Sequence, residues 1–220
     1  MNGSQNGTGL VLKDVVLRLG GIPLIEISCH IEPGSVLTIM GESGSGKSSL
    51  LDFIAGFLRP DFTASGRVVL NGRDLTRLPA QDRNVGLMFQ TPLLFPHMSV
   101  LQNLMFAVPA KAGSRSRRRS LAEQALADVG LSGYGERDPA TLSGGQQTRI
   151  ALMRTLLAEP EALLLDEPFS SLDRTRREEV RTLVFRLARE KDLPVLLVTH
   201  DEDDALAAGG PVHRLAPDET

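Results

Sequence analysis

Hydrophobic residues form short unbroken runs towards both ends of this chain and recur at helical spacing through its middle. Residues 10–19, Leu-Val-Leu-Lys-Asp-Val-Val-Leu-Arg-Leu, are rich in Val and Leu and predict a strand that Gly20-Gly21 interrupts. Further strands are predicted at 24–31 and 35–40, separated by Pro33-Gly34. Leu50, Leu51, Ile54, Phe57 and Leu58 follow at helical spacing from Ser49, with Pro60 as the stop. Gly66–Leu70 predicts a strand entering the turn Asn71-Gly72, and Val85–Phe89 predicts another that ends at Gln90. Residues 91 to about 159 read as mainly helical, with a Gly/Pro-rich break at 130–140. Beyond 160 the pattern alternates again: a strand at 162–165, a charged helix at roughly 174–190 and a strand at 195–199 that ends at His200. Both late strands are continuous apolar runs, as a parallel sheet covered on both faces requires.

The strand at 35–40 runs straight into Gly41-Glu42-Ser43-Gly44-Ser45-Gly46-Lys47-Ser48, and Ser49 opens the helix behind it. Such a loop cradles phosphates with backbone N–H groups, sets an ammonium on the β/γ-phosphates and offers a hydroxyl to Mg²⁺. Strand, glycine loop and helix in that order is the setting the motif needs, because the helix N-terminus completes the anion site. In doubly wound α/β folds ligands lie outside the carboxyl ends of the strands. Four groups share that address here: the 41–48 loop, Gln90, Asp166-Glu167 and His200. Singly, each has an ordinary structural reading, as a strand-ending polar residue, a satisfied histidine or a helix cap. Together on one sheet edge they predict a phosphoryl-transfer site, where the protein supplies position and charge. Lys47 and the loop amides are expected on the β/γ-phosphates, Ser48 on Mg²⁺ directly and Asp166 on the same ion through a water. Glu167 is the expected general base, Gln90 the group that senses ion and water, and His200 a hydrogen-bond partner of the γ-phosphate.

At 220 residues the chain is one generous domain, or a core with one inserted subdomain. An apolar content of 41% allows a full core, and a net charge of −3 argues against a nucleic-acid binder. No stretch approaches the apolar length of a membrane span. Residues 1–9 carry neither a basic region nor an apolar core, so they are expected to be a flexible leader rather than a secretory signal. The single cysteine, Cys29, fits a reducing compartment and reads as a small buried strand residue. Arg115-Ser-Arg-Arg-Arg119 is the one basic run; it opens a helix continued by Ala122, Ala125, Leu126 and Val129, so it reads as a solvated face.

Between the two phosphate-handling motifs stands Leu142-Ser143-Gly144-Gly145-Gln146, and after them Ser170-Ser-Leu-Asp173. With these the chain resembles, over nearly its whole length, the ATP-hydrolysing cassette of ABC transporters. The resemblance implies an α/β fold: a P-loop NTPase core with a mostly parallel sheet, a small N-terminal antiparallel β-subdomain, and a helical subdomain inserted at about 91–159 of a single domain covering 10–220. It implies a homodimer of cassettes packed head to tail, with Ser143, Gly144, Gly145 and Gln146 facing the partner's γ-phosphate and Asp173 in the loop that crosses the interface. ATP and Mg²⁺ are the implied cofactors. The segment Gln90–Leu104 resembles that of bacterial importer cassettes which receives the membrane subunit. Phe95, Pro96 and Met98 there either line a docking groove or pack inside the helical subdomain. The implied setting is the cytoplasmic face of the cell membrane, against transmembrane permease subunits and with a solute-binding protein in the full system. Export or lipoprotein-release cassettes are the alternative of the same class. Repair ATPases, which carry long coiled coils, and translation ATPases, which carry two cassettes, fit less well. The chain departs from the family where an aromatic residue normally stacks on adenine, about 25 positions before the glycine loop; Leu19 takes that slot. The closing strands are also expected to be reduced to 211–215, without an added regulatory domain.

Overall fold

A computed structural model describes residues 8–215, so most of the predicted leader lies outside the described residues. Gly9 is already anchored: its N–H donates to Asn71 Oδ1 at 2.8 Å, and Asn71 N–H returns a bond to the Gly9 carbonyl at 2.9 Å. The chain divides into two compact units. The first comprises residues up to 87, 161–167 and those from 186 on; the second comprises 88–160 and 168–185.

The first unit holds two sheets. β1 (Leu10–Leu19), β2 (Ile22–Ile31), β4 (Phe62–Leu70) and β5 (Arg73–Asp74) form an antiparallel sheet in the order β2-β1-β4-β5. β1 bulges between Leu12 and Val15, where Asp14 takes a positive φ of 49°. Gly66 crosses that bulge so closely that a Cβ would lie 2.3 Å from the Asp14 carbonyl oxygen, so only glycine passes. The second sheet orders β6 (Val85–Met88), β7 (Ala162–Asp166), β8 (Val195–Thr199), β3 (Val36–Met40) and β9 (Val212–Arg214) as β6-β7-β8-β3-β9. β3, β7, β8 and β9 run parallel. β3 and β8 are buried at every residue, which is why their sequences show no alternation.

Helix α1 (Lys47–Ala55) packs on β7. It is shorter than its apolar spacing suggests, because Gly56 ends it in the left-handed region (φ 89°). Gly56 N–H donates to the Phe53 carbonyl and Phe57 N–H to that of Asp52, the paired bonds that close a glycine-terminated helix. Arg83, 5% exposed, donates to the Phe53 and Ile54 carbonyls and so covers the negative end of the same helix. Leu50, Leu51 and Ile54 of α1 join Leu10, Leu17, Ile39 and Leu164 in one apolar core. Helix α6 (Glu202–Ala208), not evident in the sequence pattern, lies against β3 and β8.

The second unit is helical: α2 (Val100–Ala107), α3 (Arg115–Asp128), α4 (Gly144–Leu157) and the first part of α5 (Arg174–Glu190). The first three pack on one another. Asn103, fully buried, organises the segment before α2. Its Oδ1 accepts from Phe95 N–H, and its Nδ2 donates to the carbonyls of Phe95, Met98 and Ser99. Of the basic run, Arg118 donates to the Met105 carbonyl and Arg119 pairs with Glu123 and Glu136.

Cys29, on β2, is half-buried against the core of the first unit. Burial pushes its thiol up to about 11, outweighing the opposing backbone hydrogen bond at Leu12. Because the thiolate is the nucleophile, alkylation of the native protein at pH 8 should run about 100-fold slower than that of a free thiol. The rate should climb roughly tenfold per pH unit towards pH 11 and become ordinary on unfolding, as mass spectrometry of iodoacetamide-treated samples will show. The same raised value means that stability is full below the ordinary thiol range and is lost as pH rises through about 11.

Candidate nucleotide site

β3, β8 and β7 are neighbours in the parallel sheet, and each delivers a polar group at its carboxyl end. The glycine loop leaves β3, Asp166 ends β7 with Glu167 next, and His200 follows β8. The fold therefore brings three of the four predicted groups to one edge of the first unit. Gly44 and Gly46 take positive φ values of 88° and 86°, which let the loop curl over the N-terminus of α1.

Lys47 is 5% exposed, and its ammonium lies among oxygens of its own loop. Nζ donates to the carbonyls of Gly41 at 2.8 Å and Glu42 at 2.5 Å, with Ser45 Oγ at 3.4 Å. A buried ammonium requires such oxygens, and phosphate oxygens can replace them. Ser48 Oγ donates to Asp166 Oδ1 at 2.9 Å, joining the start of α1 to the end of β7. Burial, with the charges of Glu167 and Asp52, holds the Asp166 carboxyl above the usual carboxylate range, against the Ser48 hydrogen bond and Lys47. Glu167 takes a φ of 44°, with its N–H on the Val198 carbonyl at 2.9 Å. Its Oε1 accepts from His200 Nδ1 at 3.0 Å, the nitrogen that carries the proton in this contact.

The remaining predicted residues are distributed as follows. Ser49 is half-buried in the first turn of α1; Glu42 and Ser43 are exposed in the loop. Leu19 ends β1 opposite Ile22 and Phe62 and is 39% exposed. Gln90 is exposed, two residues past β6, and belongs to the second unit. So do Ser143, Gly144, Gly145 and Gln146, which start α4. There Ser143 Oγ accepts from Gln146 N–H, and Gln146 Oε1 accepts from Ser143 N–H at 3.0 Å, a reciprocal cap. Asp173 caps α5 through Arg176 N–H at 3.1 Å and pairs with the Arg176 guanidinium at 3.2 Å. Among the described residues no cluster of three or more His, Cys, Asp or Glu side chains forms a ready-made metal cage. The sequence reading missed Glu202 and Arg214, which with Gly41, Glu42, His200 and Leu215 line a cavity of about 270 Å³ beside the loop. They stand 12 residues apart and match no motif, so no sequence signal pairs them.

Comparison with known proteins decides the family. The sequence profile described as ABC transporter matches residues 24–170. This chain belongs to the ABC transporter family, among its ATP-binding proteins. Similar proteins include the Fe(3+) ions import ATP-binding proteins FbpC 1 of Rhizobium meliloti and FbpC of Agrobacterium fabrum. Each is 43% identical over 90% of this chain, and the match covers 56% of the relative's own length. The chain thus spans about half the length of these relatives. The Escherichia coli protein named "Uncharacterized ABC transporter ATP-binding protein YnjD" is 44% identical over 90% of this chain and 91% of its own length.

The exposed large apolar side chains of the hairpin beside the loop are aliphatic. Leu19 and Ile22 face each other across the Gly20-Gly21 turn, 39% and 67% exposed, and Leu24 and Ile25 of the same hairpin reach Gly46 of the loop. An aliphatic contact is non-directional and does not read the edge of a base. Isothermal titration should therefore give ATP and GTP affinities within a fewfold of each other. Leu19→Tyr should improve both by about 1 kcal/mol, the low end of what stacking on a base contributes. A strong ATP preference in the wild type, or no gain in the variant, counts against a base seated on Leu19.

Proposed function

We propose that this chain binds and hydrolyses ATP to drive transport of a solute into the cell, working as a pair of cassettes beneath membrane-spanning permease subunits. What carries the reading is the juxtaposition of Lys47, Ser48, Asp166, Glu167 and His200 at three adjacent strand ends, with Ser48 and Asp166 directly bonded. Importer names among the relatives support import over export. Fe(3+) as cargo belongs to those relatives; this proposal adds a solute-binding protein as the upstream partner. Among the described residues no helix is long and apolar enough to cross a membrane, which agrees with a subunit recruited to the cytoplasmic face by others.

In this reading Lys47 leaves the Gly41 and Glu42 carbonyls for the β/γ-phosphates, while the loop amides and the α1 N-terminus hold the remaining oxygens. The donor set fits Mg²⁺: a hydroxyl and a carboxylate in contact, both hard oxygen ligands, inside a field made negative by Glu167 and Asp52. Ser48 and Asp166 would hold it. When bound, the ion neutralises charge building on the phosphate oxygens. Glu167 accepts the proton of the attacking water at its carboxylate. His200, hydrogen-bonded to Oε1, fixes where that carboxylate points. The water oxygen bonds the γ-phosphorus as the bond from that phosphorus to its bridging oxygen breaks; the electron pair stays on ADP, and phosphate leaves. Ser143–Gln146 and Asp173 form the surface offered to a second cassette.

Removing the base while keeping its shape isolates the chemistry. Glu167→Gln should bind ATP as the wild type does and hydrolyse it about 10²–10⁴-fold more slowly. The trapped ATP form should then run as a stable dimer in light scattering. Near-wild-type turnover in this variant removes Glu167 from the role of base.

The docking surface divides into support and contact. Phe95 is half-buried, with the Arg154 guanidinium 5.2 Å from its ring centre and Phe106 edge-on at 5.0 Å. Phe106 and Leu93 are 64% and 54% exposed. Phe106→Asp should cut co-purification with co-expressed permease subunits by more than about tenfold, as loss of an aromatic anchor does, with ATP binding unchanged. Phe95→Asp should instead lower the melting temperature. Unaltered co-purification of the Phe106 variant moves the contact elsewhere.

A further inference from the structure

The edge of the parallel sheet carries a strap that touches both sides of the phosphate site. β9, exposed at all three residues, pairs with Thr38, Ile39 and Met40 of β3. It is led in by Gly210, where a Cβ would lie 1.8 Å from the Val36 carbonyl oxygen, and by the Pro211 carbonyl, which accepts from Thr38 N–H at 3.0 Å. At its far end Leu215 N–H donates to the Met40 carbonyl at 2.8 Å. A Cβ on Gly41 would come within 3.2 Å of Leu215, so this side chain backs the first residue of the phosphate loop.

Between these two anchors Arg214 reaches the other way. Its Nη1 donates to Glu202 Oε1 at 2.7 Å and its Nη2 to Oε2 at 2.9 Å, a two-pronged pair. Glu202 is the first residue of α6, two positions after His200. The turn between them is tied internally: Asp201 N–H donates to Thr199 Oγ1 at 3.0 Å, and Asp201 Oδ1 accepts from Asp203 N–H at 2.9 Å and Asp204 N–H at 3.3 Å. His200 and Glu202 are therefore held by one small, stiff turn. Asp201-Glu202-Asp203-Asp204 is also an unbroken acidic run, placed next to a histidine expected to meet a polyanion.

Given the ATPase reading above, we propose that Arg214 is a positioning residue for hydrolysis, which through Glu202 fixes the turn carrying His200 against the start of the phosphate loop. The pair is exposed, 60% at Arg214 and 67% at Glu202, so it adds little to stability in water. Its geometry matters more, because a displacement of about 1 Å at a catalytic group can lower a rate about 10²-fold.

The test uses the whole chain and three readouts. Arg214→Gln and Glu202→Gln should each lower kcat about tenfold or more, with KM for ATP within about twofold and melting temperature unchanged. Amide hydrogen exchange over 200–204 should rise in the nucleotide-free protein, while β3 and α1 stay protected. The reversed pair, Arg214→Glu with Glu202→Arg, should recover most of the lost rate. In a His200→Ala background Arg214→Gln should cost nothing further. Full kcat and unchanged exchange in Arg214→Gln overturn the proposal, as do losses that multiply in the His200→Ala background. No recovery by the reversed pair overturns it too, since Arg214 would then act on phosphate directly. A wild-type protein that binds ATP without hydrolysing it sinks the parent reading instead.

Discussion

One buried cation, Lys47, governs the layout of the glycine loop. Lys47 cannot sit 5% exposed unless oxygens surround it, and the structure supplies carbonyls of its own loop rather than a carboxylate. That choice keeps the charge available. A carboxylate partner would hold the ammonium as a permanent pair, whereas neutral carbonyls give it up to a phosphate that offers stronger, charge-assisted bonds. The arrangement works only if the loop keeps its shape when the lysine lets go. β3, buried at all five residues, and α1, capped at Gly56 and covered by Arg83 at its negative end, hold the loop from both sides.

The layout of the candidate site was legible where the sequence sets its groups in consecutive residues. The 41–48 loop, Asp166-Glu167 and His200 each follow an apolar run, and apolar runs in a parallel sheet announce their own carboxyl ends. Elements whose boundaries depend on partners were less legible. The sequence reading starts the second strand at residue 24, two residues after β2 begins at Ile22. β2 is an edge strand, and an edge tolerates proline, whose missing N–H would face solvent. The strand read at 66–70 begins at Phe62, since Gly66 marks a crossing over the β1 bulge rather than a start. The first helix loses its last turn to Gly56 despite a continuous apolar pattern through Leu58. Asn103 and the Arg214–Glu202 pair were invisible, because their meaning lies in which backbone groups and charges the fold brings to them.

In the second unit the side chains of Ser143 and Gln146 cap each other's backbone at the start of α4. They are engaged before any ligand arrives. What the Ser143–Gln146 segment offers outward is then backbone at Gly144, the exposed first residue of a 14-residue helix whose second residue, Gly145, is buried. A Cβ on Gly145 would meet the Arg176 side chain at 3.4 Å, an ordinary contact. A helix start of this kind attracts an anion without distinguishing its identity. In the proposed pair of cassettes the specificity for nucleotide thus comes from the Lys47 loop of one chain. The capped helix of the other reports only that a phosphate is present.

Charge is the last constraint on what can enter the phosphate-facing edge. The first unit places the charges of Asp52 and Glu167 near the Asp166 carboxyl that Ser48 bonds, and the run Asp201–Asp204 just beyond His200. A nucleoside triphosphate entering this edge meets one lysine and at least three carboxylates. Each unscreened like-charge contact at about 4 Å costs roughly 1–4 kcal/mol between the limits of bulk water and a protein surface. The Ser48–Asp166 hydrogen bond cannot offset that, because it neutralises nothing. A divalent cation on Asp166 turns the nearest repulsion into an attraction, and Arg214 cancels one charge of the distant run. In the ATPase reading proposed above, nucleotide and cation would favour each other's entry, and the acidic surroundings that repel a bare phosphate would discriminate the metal-bound nucleotide from other polyanions.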